Sequence, residues 1–315
     1  MGNTPRRLKW YGDLSKLPSE LGWSNADEAD RLKWFDELED VSSEGYGTSS
    51  EIRRMARKGR KIFGLKVFRD RFYVLKVLKD GQSMLRLARE VNILSRLNHP
   101  NIVKIVGYGV VKNPIRYTVL TNSPSYLMNF VDGKSLFNME NSEIEELGLE
   151  GKLKVTEGIA SALKHIHKCR MVYVDINLGN VILCRGDKTP VLCDFGGAFL
   201  WREGDKVNGN ELLYGTPEFM SPEHALGQRL DPKSDIYSLG AFMYRLVYGK
   251  NPFNGELQEI LKAHVNSPLE IPRRADVPCK VGEIIGKAME KGPMNRYLTM
   301  NDMLLDIRAC RQTLQ

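Results

Sequence analysis

The 315 residues carry 46 Lys and Arg against 39 Asp and Glu, a formal charge of +7, and 42% of the side chains are apolar. This is ordinary globular composition at a length that buries a substantial core, which excludes a disordered or fibrous chain. No apolar run approaches the ~20 residues of a membrane-spanning helix and MGNTPRRLKWYG lacks a leader's apolar core, so a cytoplasmic protein with no membrane partner is expected. Cys169, Cys184, Cys193, Cys279 and Cys310 show neither CxxC pairing nor zinc spacing and read as reduced thiols. The densest basic run, RRMARKGRK at 53–61, has no interleaved aromatics and reads as a solvated face, so no nucleic-acid partner is expected.

In chain order, SNADEADRLKWFDELED (24–40) offers an N-cap residue, acidic first-turn positions and apolar residues at Leu32, Phe35 and Leu38, which predicts a helix. VSSEGYGTSS follows with linker composition, so residues 1–49 read as an N-terminal extension that either docks a partner or regulates the catalytic lobes. IFGLKVF and RFYVLKV predict a tight hairpin, and QSMLRLAREVNILSRL (82–97) a helix that stops before NHPN. IVKIVGYGVV and YLMNFV carry further strand signal. After Asp132 the pattern is helical, with short strands around VILC and VLCDFG and a hairpin tip at Arg185–Asp187. The expected fold is α+β in two lobes, a strand-rich one over 50–131 and a larger helical one over 132–315.

The second half places Asp175, Asn180, DFG at 194–196 and SPE at 221–223 in order, downstream of YVLKV and REVNILSRLNHPNIV. This series resembles the eukaryotic-type protein kinase superfamily over about Ser50 to Arg311. The resemblance implies ATP and Mg²⁺, with Mn²⁺ as a substitute, and a protein substrate bearing Ser or Thr. It implies that Lys76, held by Glu90, orients phosphates, that Asn180 and Asp194 ligate the metal, and that Asp175 accepts the substrate hydroxyl's proton. The chemistry explains the residue types: Mg²⁺ takes a few oxygen ligands plus phosphate, and a long Lys needs a carboxylate to fix it.

LMNFVDG resembles the connection between lobes whose backbone, around Asn129, receives adenine. Met128 then lines the back of that pocket, Phe130 and Val131 its front, and Val74 and Ile182 sandwich the purine; ordinary core is the alternative for each apolar residue. Two stretches compete for the glycine-rich loop. GRKIFG, with Gly59, Phe63 and Gly64, lies directly before the expected hairpin and is the reading adopted, with GYGTSS from Gly45 as the alternative. Thr216 within YGTPEFMSPE tips the substrate class toward Ser or Thr, and Glu223 with Arg296 matches the family's structural ion pair.

The loop VYVDINLGNVIL departs from the family. Tyr173 and Val174 replace its usual His and Arg, and Asn177 its usual Lys. Tyr173 fills the structural role of the His by packing, and Asn177 restores part of the lost contact to the transferred phosphoryl group as a neutral donor. The family's Arg pairs with a phosphate on the activation segment. Val174 cannot, and residues 197–213 contain no Ser or Thr, so activity independent of phosphorylation there is expected. A catalytically weak kinase-like scaffold and a small-molecule kinase are the rival readings.

Overall fold

The computed structural model describes residues 38–40, 45–46, 50–57, 61–62, 65–66, 72–78, 83–111, 123–201 and 215–314. The chain divides into two compact units, one of residues up to Arg96 with Lys104–Phe130, the other of Leu97–Val103 with Val131–Gln315. The first is an antiparallel sheet with a helix and the second is mainly helical, the α+β pattern of the sequence.

In the first unit, β1 (Leu38–Asp40) and β2 (Gly45–Tyr46) both pair with β3 (Ser50–Arg57). Two short strands, β4 (Lys61–Ile62) and β5 (Leu65–Lys66), pair only with each other. The sheet continues from β3 through β6 (Phe72–Leu78) and, beyond β6, through β8 (Ser123–Asn129) to β7 (Ile105–Val111). Two expectations change here. Leu38–Asp40, read as the end of a helix, is a strand because its main chain pairs with Met55–Arg57; the rest of that helix lies outside the described residues. IFGLKVF does not form a hairpin with RFYVLKV: its described part folds on itself, and β6 takes β3 and β8 as neighbours. The basic run begins inside β3, where main-chain pairing on both sides makes a strand of a composition poor in β-branched residues.

The helix α1 (Ser83–Ser95) buries Ala88, Val91 and Leu94, three apart, and packs on β8. Full burial of Val91 or Leu94 is worth about 1.5–3 kcal/mol each. That anchorage fixes the rotation of the helix and so the position of Glu90.

In the second unit, α2 (Asn141–Glu145) leads to the long α3 (Gly148–Lys168). Short strands follow: β9 (Gly133–Ser135), ahead of these helices, pairs with β11 (Val181–Cys184), which pairs with β12 (Pro190–Leu192), while β10 (Met171–Val172) pairs with β13 (Phe199–Leu200). After these come α4 (Pro222–Ala225), α5 (Pro232–Tyr248), α6 (Leu257–Asn266), α7 (Cys279–Ala288) and α8 (Met300–Gln312). The centre is α5, buried on nearly every face from Ser234 to Val247. Asp231 and Ser234 form its capping box, Pro232 supplies a preset φ, and Gly249 at φ +70° ends it. Gly240 matters for packing, since a Cβ there would lie 2.8 Å from Ala288 Cβ of α7.

Glu223 and Arg296 tie α4 to the approach to α8 through two 2.8 Å hydrogen bonds. Ser234 also donates to the carboxylate at 2.7 Å, and Arg296 donates to the carbonyls of Glu290, Lys233 and Lys291. Burial pushes Glu223 upward, but the hydrogen bond and charge of Arg296 outweigh it and hold the carboxyl below its usual range.

Candidate active site

In the first unit, one row of the sheet runs across Gly45, Ile52, Lys76 and Tyr126. Lys76 is buried, and its Nζ donates to both carboxylate oxygens of Glu90 at 3.2 and 3.3 Å and lies 5.7 Å from the centre of the Tyr126 ring. A sheet spacing of about 4.8 Å puts Gly45 and Lys76, with only Ile52 between, about 10 Å apart. Gly59, by contrast, follows the far end of β3, and Gly59, Phe63 and Gly64 lie outside the described residues. Five residues of strand, about 17 Å, separate Ile52 from Arg57 at that end. The pairing thus sets Gly45, the first residue of GYGTSS, in one row of the sheet with Lys76.

Of the residues assigned to adenine, Val74 and Met128 are register partners on β6 and β8, and Asn129 ends β8 with its N–H donating to Lys104 O at 2.9 Å. Met128 is buried, Val74 and Phe130 partly buried and Asn129 exposed. Val131 and Ile182 belong to the second unit, both partly buried, with Ile182 on β11.

The second unit assembles the loop after β10. Asp175 is the convergence point: its Oδ1 accepts from Thr216 Oγ1 at 3.0 Å, Thr216 N at 3.2 Å and Asn177 Nδ2 at 2.9 Å. Its Oδ2 accepts from Asn180 Nδ2 at 3.0 Å. Asn177 Oδ1 in turn accepts from Gly179 N and Asn180 N, capping the 3₁₀ turn Leu178–Asn180. Both ends of the Asn177 amide are therefore used within the loop.

Behind the loop stands Asp235 of α5, fully buried. It accepts from Tyr173 N at 2.9 Å, Val174 N at 2.8 Å and His167 Nε2 at 2.7 Å. Val174 needs this support, since its φ of +74° places a β-branched residue in left-handed space at about 1–3 kcal/mol. Its side chain joins an apolar cluster with Val172 and Leu230, against which Phe199 and Trp201 pack. Sequence reasoning missed Asp235; a lone carboxylate inside the apolar SDIYSLG helix was the signal.

Tyr173 sits edge-on to Phe195 with ring centres 5.0 Å apart, and its hydroxyl donates to Cys193 O at 3.0 Å. Burial, then the charges of Asp175 and Asp194, hold its phenol well above the usual range. Cys193 N donates to Asn180 O, so the residue before Asp194 is tied to the loop that carries Asp175. Asp194 is exposed at φ +25°, with Oδ1 accepting from Gly196 N. Asn180 Oδ1 takes no hydrogen bond among the described residues, which leaves an amide oxygen suited to a hard cation. Burial, then Asp194, pushes the Cys193 thiol up to about 12. All five cysteines are free.

A protein kinase domain model matches residues 38–306. The chain belongs to the protein kinase family. A Streptomyces coelicolor protein named as a probable serine/threonine-protein kinase is 32% identical over 236 residues, 74% of this kinase domain chain and 34% of the relative. Serine/threonine-protein kinase PknB of Mycolicibacterium smegmatis is 30% identical over 274 residues, 84% of this chain and 41% of its own. Serine/threonine-protein kinase PrkC of Bacillus subtilis is 33% identical over 248 residues, 76% and 36%. The chain thus spans between about a third and two fifths of these curated relatives. Among the described residues, no helix is long and apolar enough to cross a membrane.

Proposed function

We propose that this chain transfers the γ-phosphoryl group of ATP to Ser or Thr hydroxyls of protein substrates. The observation that carries the reading is the Asp175 carboxylate, held by donors from Thr216, Asn177 and Asn180. So fixed, it receives the hydrogen of the incoming hydroxyl and aims the oxygen at phosphorus, forming an O–P bond as the bond to the departing ADP oxygen breaks. Lys76, oriented by Glu90, holds the α and β phosphates, and GYGTSS offers backbone N–H groups to them. Asn180 and Asp194 would hold Mg²⁺, which supplies charge neutralisation of the phosphates.

The Val174 cluster supports activity without activation-segment phosphorylation. An apolar contact among Val174, Phe199 and Trp201 occupies the place where an Arg would need a phosphate, and residues 197–213 provide no Ser or Thr to carry one. The test is incubation of the chain with labelled ATP, Mg²⁺ and a generic protein substrate, beside Asp175→Asn and Lys76→Met. Label on the substrate from wild type alone is expected; equal label from all three overturns the reading.

A further inference from the structure

A cavity of about 210 Å³ opens in the second unit between α2, the start of the Leu178–Asn180 turn and the C-terminal end of α5. It is smaller than the roughly 300–1,000 Å³ of small-ligand pockets, and so suits one side chain better than a nucleotide. Ile144, Leu178 and Leu246 give it apolar walls, and two charged residues line it, Glu145 and Arg245.

The two charges are not equivalent. Glu145 is already neutralised by Lys152, a buried lysine with Nζ 2.8 Å from its carboxylate. Arg245 is partly buried and makes no side-chain hydrogen bond or ion pair among the described residues. The cavity therefore keeps an uncompensated guanidinium whose planar fork matches carboxylate or phosphate oxygens. Leu178 lies three residues after Asp175, so this wall is at most about 11 Å of chain from the catalytic carboxylate. An extended peptide covers that distance in about three residues.

Resting on the kinase reading above, we infer that Arg245 in this cavity selects protein substrates carrying an acidic or phosphorylated side chain about two to four residues from the phosphoacceptor. The apolar walls receive the side chain's methylenes and strengthen the charge contact by excluding water. Nothing in the catalytic loop itself performs this selection, because the Asn177 amide is spent on Asp175 and its neighbours.

The test is kcat/KM on a Ser-centred peptide set in which Glu, phosphoserine, Ala or Lys is scanned over four positions on each side of the acceptor. Wild type is expected to favour Glu or phosphoserine over Ala by about five- to thirtyfold at one position, with Lys worst there. The Glu and phosphoserine arms separate carboxylate from phosphate recognition. Arg245→Gln should bring the acidic-to-neutral ratio toward one, Arg245→Glu should invert it, and Arg245→Lys should keep part of it. A thermal melt shows whether each variant is folded, and the wild-type ratios stand without any variant. A wild type that phosphorylates the generic substrate but shows no acidic preference at any position overturns this inference alone. So does a preference that survives Arg245→Glu. A chain that labels no substrate overturns the kinase reading and the inference with it.

Discussion

Two carboxylates of the second unit, Asp175 and Glu223, are both held by several donors, yet they do opposite work. Glu223 is closed off: a fully buried Arg296 covers both its oxygens, and Ser234 takes one of them again. Asp175 is only partly buried, and its donors are a threonine, two asparagine amides and a backbone N–H, with no cation among them. A carboxylate paired with a buried cation is satisfied and becomes structure. One oriented by neutral donors keeps its charge available for a substrate proton. The difference predicts that damage to the first appears as instability and damage to the second as lost rate.

The strongest way to break the comparison is Asp175→Asn. It should lower kcat by about 10²- to 10⁴-fold with little change in melting temperature, checked by steady-state kinetics beside a thermal melt. Arg296→Ala should do the reverse. It leaves the buried Glu223 carboxylate without its cation, Ser234 remaining as a donor, and should cost about 3–5 kcal/mol, read as a lower denaturant midpoint at unchanged slope.

A third measurement uses acid to probe a neighbour of the Arg296 node. His264 meets the Tyr237 hydroxyl at 2.9 Å, and burial, then Lys291, lowers its pKa from 6.5 to about 4. Between those values the unfolded chain binds the proton and the folded chain does not. The contribution of His264 is therefore complete above about pH 6.5 and is lost as pH falls toward 4, by about 3 kcal/mol. Denaturant titrations at several pH values should show that slope, and His264→Gln should flatten it. The smallest effect is expected from phosphatase treatment of the wild type, which should leave the rate unchanged; a loss that rephosphorylation of the chain restores would show that the Val174 cluster does not do what a phosphate would.

Motif order was enough to name Lys76, Glu90, Asp175, Asn180 and Asp194, and the geometry joins Lys76 to Glu90 within one unit and Asp175 to Asn180 within the other. Those residues are legible because their chemistry demands particular types at fixed short spacings. The strand β3 was not, because it carries three arginines in eight residues and its strand character comes from pairing with β1, β2 and β6. Asp235 was hidden for another reason. Its three donors lie 61 to 68 residues away, and no local period records a hydrogen bond of that range. The bonds of the Asn177 amide within its own loop were equally hidden, because a residue type shows what a side chain can do, not where its bonds are committed.

The residue just before the DFG has a practical consequence. Burial, then Asp194, raises the Cys193 thiol well above its usual range, so it stays protonated at pH 7. Its sulfur instead donates to Val191 O. Electrophilic inhibitors that trap a neighbouring cysteine will therefore react sluggishly with this chain, and mild peroxide should spare that sulfur.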